Sequence, residues 1–159
     1  DEAISALDVS LRVEMMDLML DLQSEFDTSY VFISHDLSNA RYFAEHGDGK
    51  IGVMYLGQLV ESGPADQLIN EPKHPYTKVL RWATPDLSLK QAGDVPMRKI
   101  DIPDPVDPPS GCRFHTRCPE AREVCARERP NEYEVDGQRT ACFRRDENHE
   151  YWDSPELTD

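Results

Sequence analysis

Four cysteines, Cys112, Cys118, Cys125 and Cys142, fall within 31 residues near the end of a 159-residue chain, and the 111 residues before them contain none. Clustering of this kind points to one local site rather than to staples across a whole fold. Four thiolates supply four corner ligands, and such a set suits an iron–sulfur cluster or a tetrahedral zinc ion. Two disulfides and simply unligated thiols are the competing readings. The gaps of five, six and sixteen residues are wider than the two to four that zinc ribbons and knuckles use. Arg113, Arg117, Arg122 and Arg127 could balance the charge of a cluster, although each alone reads as a solvated arginine; His115 reads as a surface residue. Two further candidates stand far upstream. The adjacent carboxylates Asp1 and Glu2 are, in isolation, a solvated acidic pair, and His35 in Ser34-His35-Asp36 is, in isolation, a packing or surface histidine.

The elements that must position these residues follow from local pattern. Asp8 is a good N-cap for an amphipathic helix over 8–22, with Leu11, Met15, Leu18, Met19 and Leu22 on one stripe. The β-branched and aromatic run Tyr30-Val31-Phe32-Ile33 predicts a short buried strand that delivers His35 at its end. A helix follows to about Glu45, then a turn at Gly47-Asp48-Gly49-Lys50. Residues 51–55 and 58–61 flank Leu56-Gly57 as a hairpin. Short helices are expected from Pro64 to Ile69 and from Pro75 to Trp82, each with proline in its first turn. In the second of these, Tyr76, Val79 and Leu80 pack inward. Residues 84–110 are rich in proline and acids and read as a linker. The cysteine module occupies 111–143, and 144–159 form an acidic tail, mobile at its end. A module below about 40 residues usually needs a metal or disulfides to hold its fold.

Taken together, Asp1-Glu2, Ser5-Ala6-Leu7-Asp8, the helix, the strand and Ser34-His35-Asp36 resemble the second half of an ABC transporter nucleotide-binding domain. The resemblance implies that Asp1 is the Walker B aspartate, holding Mg²⁺ through its water shell, and that Glu2 is the catalytic carboxylate. Ser5 to Asp8 match the D-loop, which crosses the dimer interface towards the partner's site. His35 matches the switch histidine that contacts the γ-phosphate of ATP. The chemistry needs such a set: Mg²⁺ prefers oxygen ligands and keeps several waters, and hydrolysis needs a group to position the attacking water. Ala3-Ile4 replaces the family's usual Pro-Thr, and Gly47–Lys50 differs from its usual Ala-Asp-Arg.

The downstream half narrows the resemblance. His74-Pro75-Tyr76-Thr77-Lys78-Val79-Leu80 with Ala83-Thr84-Pro85 looks like a segment of oligopeptide and dipeptide importer ATPases, and Gly57–Gly63 resembles the hairpin of import ATPases. The stretch from Pro108 to Pro119 with Cys125 and Cys142 is similar to the C-terminal extension of the same proteins, in which four cysteines can hold a [4Fe-4S] cluster, with Zn²⁺ the alternative. On this basis the expected fold is α/β: 1–83 as the C-terminal half of an ABC-type P-loop ATPase domain, then the linker, the irregular cysteine module and the tail. The implied partners are a second ABC ATPase subunit, transmembrane permease subunits and, indirectly, a peptide-binding protein. The implied place is the cytoplasmic face of the plasma membrane. No Gly-x-x-x-x-Gly-Lys-[Ser/Thr] loop, Leu-Ser-Gly-Gly-Gln signature or glutamine loop is present. All would precede Asp1 in an intact subunit, so this stretch is expected to be a fragment unable to hydrolyse ATP alone. The rival reading is a metal-stabilised interaction or regulatory module without nucleotide chemistry.

Composition narrows the field further. Thirty-one acids against 17 bases leave a net charge of −14, which repels phosphate backbones and argues against nucleic acid. No run of about 18 apolar residues exists to span a bilayer. The excess of acid, together with 12 arginines to 5 lysines, suits a halophilic archaeal protein kept soluble at very high salt.

Overall fold

The computed structural model describes residues 2–84, 97–98 and 101–157. Asp1, most of the segment read as a linker and the last two residues lie outside these. The chain is mixed α/β. Helix α1 (Val9–Phe26) and helix α2 (Leu37–His46) precede a hairpin of strands β1 (Lys50–Tyr55) and β2 (Gln58–Pro64). Helices α3 (Ala65–Asn70) and α4 (Pro75–Ala83) follow. The cysteine region contributes α5 (Glu123–Arg127), strands β3 (Tyr133–Val135) and β4 (Gln138–Thr140), and two 3-10 turns, Phe143–Arg145 and Glu150–Trp152.

Local chemistry accounts for most of these elements. Asp8 caps α1 by accepting from Leu11 N at 3.0 Å, and Asp36 caps α2 from Ser38 N and Asn39 N. The β1–β2 turn puts Leu56 and Gly57 at φ of 44° and 75°, the two positive values that a tight two-residue hairpin turn requires. Strand β1 buries alternate residues, Ile51, Val53 and Tyr55.

The four strands form one antiparallel sheet in the order β1-β2-β4-β3. The cysteine region is therefore joined to the hairpin by backbone hydrogen bonds: Glu61 faces Thr140, Ser62 faces Arg139, and Ala141 N donates to Val60 O. The core is shared in the same way, since Phe114, Cys118 and Ala121 pack with Ile51, Val53, Val60, Leu68 and Val79. Phe114 is 1% exposed and meets the rings of Tyr55 and Tyr76; burying a side chain of this size contributes about 1.5–3 kcal/mol. In α4, Val79 is buried while Tyr76 and Leu80 pack against this core, as expected.

Three expectations are corrected. The run Tyr30–Ile33 forms no strand: it alternates as one, with Tyr30 and Phe32 packed on Phe43 and Val31 and Ile33 exposed, but among the described residues no strand pairs with it. Helix α1 buries Met16 and packs Met19 and Leu20 inward, while Leu11, Met15 and Leu18 are exposed. It carries apolar residues around most of its circumference, so more than one stripe was available and the packed one differs from the stripe that the spacing picked out. The acidic tail is packed up to Leu157: Tyr151 is buried, its hydroxyl donates to Glu120 O, and Leu157 N donates to Ala121 O. No helix among the described residues is long and apolar enough to cross a membrane.

Candidate functional site

Two groupings carry chemistry. At the first, residues 33 positions apart in the sequence meet: His35 Nδ1 lies 2.6 Å from Glu2 Oε1. A carboxylate oxygen accepts, so Nδ1 is the donor of this contact. Glu2 N donates to Ile33 O at 2.9 Å, which ties the two backbones as well. The loop after Glu2 is wound tightly on itself. Ser5 donates to Glu2 O through both its N–H (3.1 Å) and its hydroxyl (3.0 Å), and Arg12 bonds Leu7 O at 2.7 Å and Ser5 O at 2.9 Å. Arg12 was not singled out from sequence, because a helix-face arginine has no local pattern that marks it as a loop anchor. Both side chains of the pair are accessible, His35 at 74% and Glu2 at 43%. Asp8 serves as the α1 cap, and Asp1 lies outside the described residues.

The second grouping is a cavity of about 20 Å³ lined by Cys112, Cys118, Cys125 and Cys142 together with His74, Phe114, Tyr151 and others. Gly111, at φ 65°, makes the approach possible: a Cβ there would lie 2.4 Å from Cys125 O, the atom that accepts the Cys112 N–H. Burial pushes the Cys112 thiol up to about 12 and the Cys142 thiol up to about 11, and raises Cys118 and Cys125. Neighbouring cysteines add to the rise at Cys112, Cys118 and Cys142. At neutral pH the four are thiols, and a metal centre would have to displace their protons.

The donor set fits an iron–sulfur cluster or zinc in chemistry and in sharing one cavity. Among the described residues, however, no three His, Cys, Asp or Glu side chains gather closely enough to hold a metal ion. The expectation of one local metal site is corrected to that extent: the cysteines share a cavity without forming a ligand set. Protonated thiols have nothing to draw them together, and thiolates without a cation repel.

The cations facing the thiols are Arg144, Arg145, Lys78 and Arg122. Arg122, one of the four arginines named from sequence, is among them. Arg113 donates to Leu56 O, Arg127 pairs with Glu150, and Arg144 pairs with Glu120. His115 Nδ1 sits 2.8 Å from Cys112 O. Two residues that sequence reasoning had not placed here are buried, His74 in the cavity wall and Glu61 bonded to its backbone. Glu61, 1% exposed, accepts the N–H groups of Lys73 (2.5 Å) and His74 (3.0 Å), and burial pushes its carboxyl up. His74, also 1% exposed, accepts the Tyr76 N–H on Nδ1 at 3.1 Å and so caps α4; burial, with Arg145 and Lys78, pushes it down to about 3. The signal was present in His74-Pro75, a cap followed by an N1 proline.

Residues 60–125 match the family described as the oligopeptide/dipeptide transporter, C-terminal region. The chain is 45% identical over 147 residues to the dipeptide transport ATP-binding protein DppF of Haemophilus influenzae, covering 92% of this chain and 44% of that protein. It is 43% identical over 148 residues to DppF of Escherichia coli, covering 93% and 43%. To the oligopeptide transport ATP-binding protein OppF of Salmonella typhimurium it is 42% identical over 132 residues, covering 82% and 38%. The chain thus spans about two fifths of the length of the relatives it matches. Residues 60–125 therefore belong to the oligopeptide/dipeptide transporter C-terminal region family, and most of the chain is similar to ATP-binding proteins of dipeptide and oligopeptide transport.

Proposed function

We propose that the chain is part of an ATP-binding and ATP-hydrolysing subunit that energises ABC-type import of dipeptides or oligopeptides across the plasma membrane. The observation that carries this reading is the Glu2–His35 contact beside the Ser5–Asp8 loop, in a chain whose relatives are ATP-binding proteins of peptide transport. In this reading Glu2 positions and deprotonates the attacking water. His35 holds Glu2 through Nδ1–H beside the nucleotide's terminal phosphate. Asp1 holds the metal through its water shell, as a hard oxygen donor suits. Mg²⁺, when bound, neutralises charge on the phosphates. Ser5 and Asp8 stiffen a loop that faces the second ATPase subunit.

The uncovered apolar surface supports the same reading. Leu11, Leu18, Val31 and Ile33 are exposed, and we infer that they are covered by the rest of the nucleotide-binding core, which belongs to the part of the relatives that this chain does not span. The subunit then docks on permease subunits at the cytoplasmic face of the membrane. In this reading the four cysteines hold a [4Fe-4S] cluster, which would have to draw their thiolates together as it binds.

The test is His35→Ala in the full-length subunit. Because His35 is mostly exposed, the fold should survive, while kcat for ATP hydrolysis should fall at least tenfold. An unchanged kcat would remove His35 from the mechanism.

A further inference from the structure

Arg12 stands where a helix does not favour a cation. Helix α1 begins at Val9, so Arg12 lies at the end of the first turn, near the positive pole of the helix dipole. Side chains of a helix lean back towards its N-terminus, and that of Arg12 reaches the loop before α1. There its Nε donates to Leu7 O at 2.7 Å and its Nη2 donates to Ser5 O at 2.9 Å. Ser5 in turn donates twice to Glu2 O, at 3.1 and 3.0 Å, and Glu2 carries the carboxylate that meets His35. One chain of bonds therefore runs from the guanidinium through Ser5 to Glu2. We propose that Arg12 is a positioning residue for ATP hydrolysis, holding the Glu2 carboxylate in its working place through the carbonyls of Ser5 and Leu7; the inference rests on the reading of Glu2 given above.

The loop has few other holds. Ala3, Ser5, Ala6 and Asp8 are exposed, while Ile4 is buried and Leu7 packs half-buried against the same cluster. Among the described residues, Arg12 is the one side chain from outside the loop that bonds to the backbone of residues 3–7. Glu2 itself sits at φ 47°, a conformation that persists only where its neighbours hold it. The two carbonyls are met by two N–H groups of one planar, rigid fork; a lysine ammonium, a point charge on a flexible stem, does not reproduce that grip. Small displacements matter here, since a misplacement of about 1 Å caused far from the reacting atoms can cost about 10²-fold in rate.

The experiment compares ATP binding, steady-state ATP turnover and melting temperature in five forms of the full-length subunit: the parent, Arg12→Ala, Arg12→Lys, Glu2→Gln, and Arg12→Ala combined with Glu2→Gln. The proposal expects Arg12→Ala to bind ATP as the parent does and to lose turnover about 10–100-fold, all of it in kcat. Arg12→Lys should lose nearly as much although it keeps the charge. In the Glu2→Gln background the loss of the arginine should cost nothing further, because a residue that acts through Glu2 has no effect once Glu2 has lost its function. Turnover of Arg12→Ala within a few fold of the parent overturns the proposal. So does an equal proportional loss in both backgrounds, or full recovery in Arg12→Lys, which would leave only an effect of charge. A fall of ATP binding and melting temperature in step with turnover also overturns it, being the pattern of a residue that merely stabilises the fold. Glu2→Gln turnover close to that of the parent overturns the reading of Glu2 itself, a result distinguishable because Arg12 is intact in that form.

Discussion

Glu2 and His35 illustrate how much depends on single side chains. Glu2 has φ of 47°, a conformation that costs a non-glycine residue about 1–3 kcal/mol and persists only where its surroundings hold it. Here those surroundings are Ser5, bonded twice to the Glu2 carbonyl, and the Ile33 carbonyl. At His74 the governing effect is desolvation. Its folded-state value of about 3 lies below the ordinary 6.5 of an unfolded histidine. Above pH 6.5 neither state is protonated there and the site costs nothing. As the pH falls, the unfolded chain binds a proton that the folded chain refuses. Stability from this residue is therefore lost between about pH 6.5 and 3, with a slope of at most about 1.4 kcal/mol per pH unit. Urea midpoints of the metal-free protein from pH 7 to pH 4 should fall more steeply for the parent than for His74→Asn. Equal slopes would show that His74 is not buried neutral.

At the scale of elements, what was legible in the sequence was local. The cap at Asp8, the Leu56-Gly57 turn and the His74-Pro75 start of α4 each depend on a few adjacent residues, and the structure has them where the pattern placed them. What was not legible depends on distant partners. Nothing in Gln138-Arg139-Thr140 announces that it pairs with Glu61 and Ser62, some eighty residues earlier. Nor could the apolar pattern of α1 say which of its faces would be packed. The run Tyr30–Ile33 has the alternation of a strand without the neighbour that would make it one. The functional residues divide in the same way. The cysteines and His35 stood out by type and spacing. Arg12, Glu61, Arg144 and Arg145 did not, since their roles exist only through contacts formed by folding.

At the scale of the whole molecule, a net charge of −14 is a source of self-repulsion that salt relieves. The melting temperature should accordingly rise as KCl is raised from low to molar concentration. A flat or falling trend would mean that the acids are matched by local partners and that the excess is no adaptation to salt. The catalytic reading makes a sharper claim, namely that Glu2 acts on the water attacking ATP. The most direct measurement compares ATP binding and steady-state ATP turnover in the full-length subunit and its Glu2→Gln form. The substitution keeps size and hydrogen bonding while removing the base. The account predicts unchanged ATP binding with turnover lowered about 10²–10⁴-fold; turnover within a few fold of the parent would contradict it.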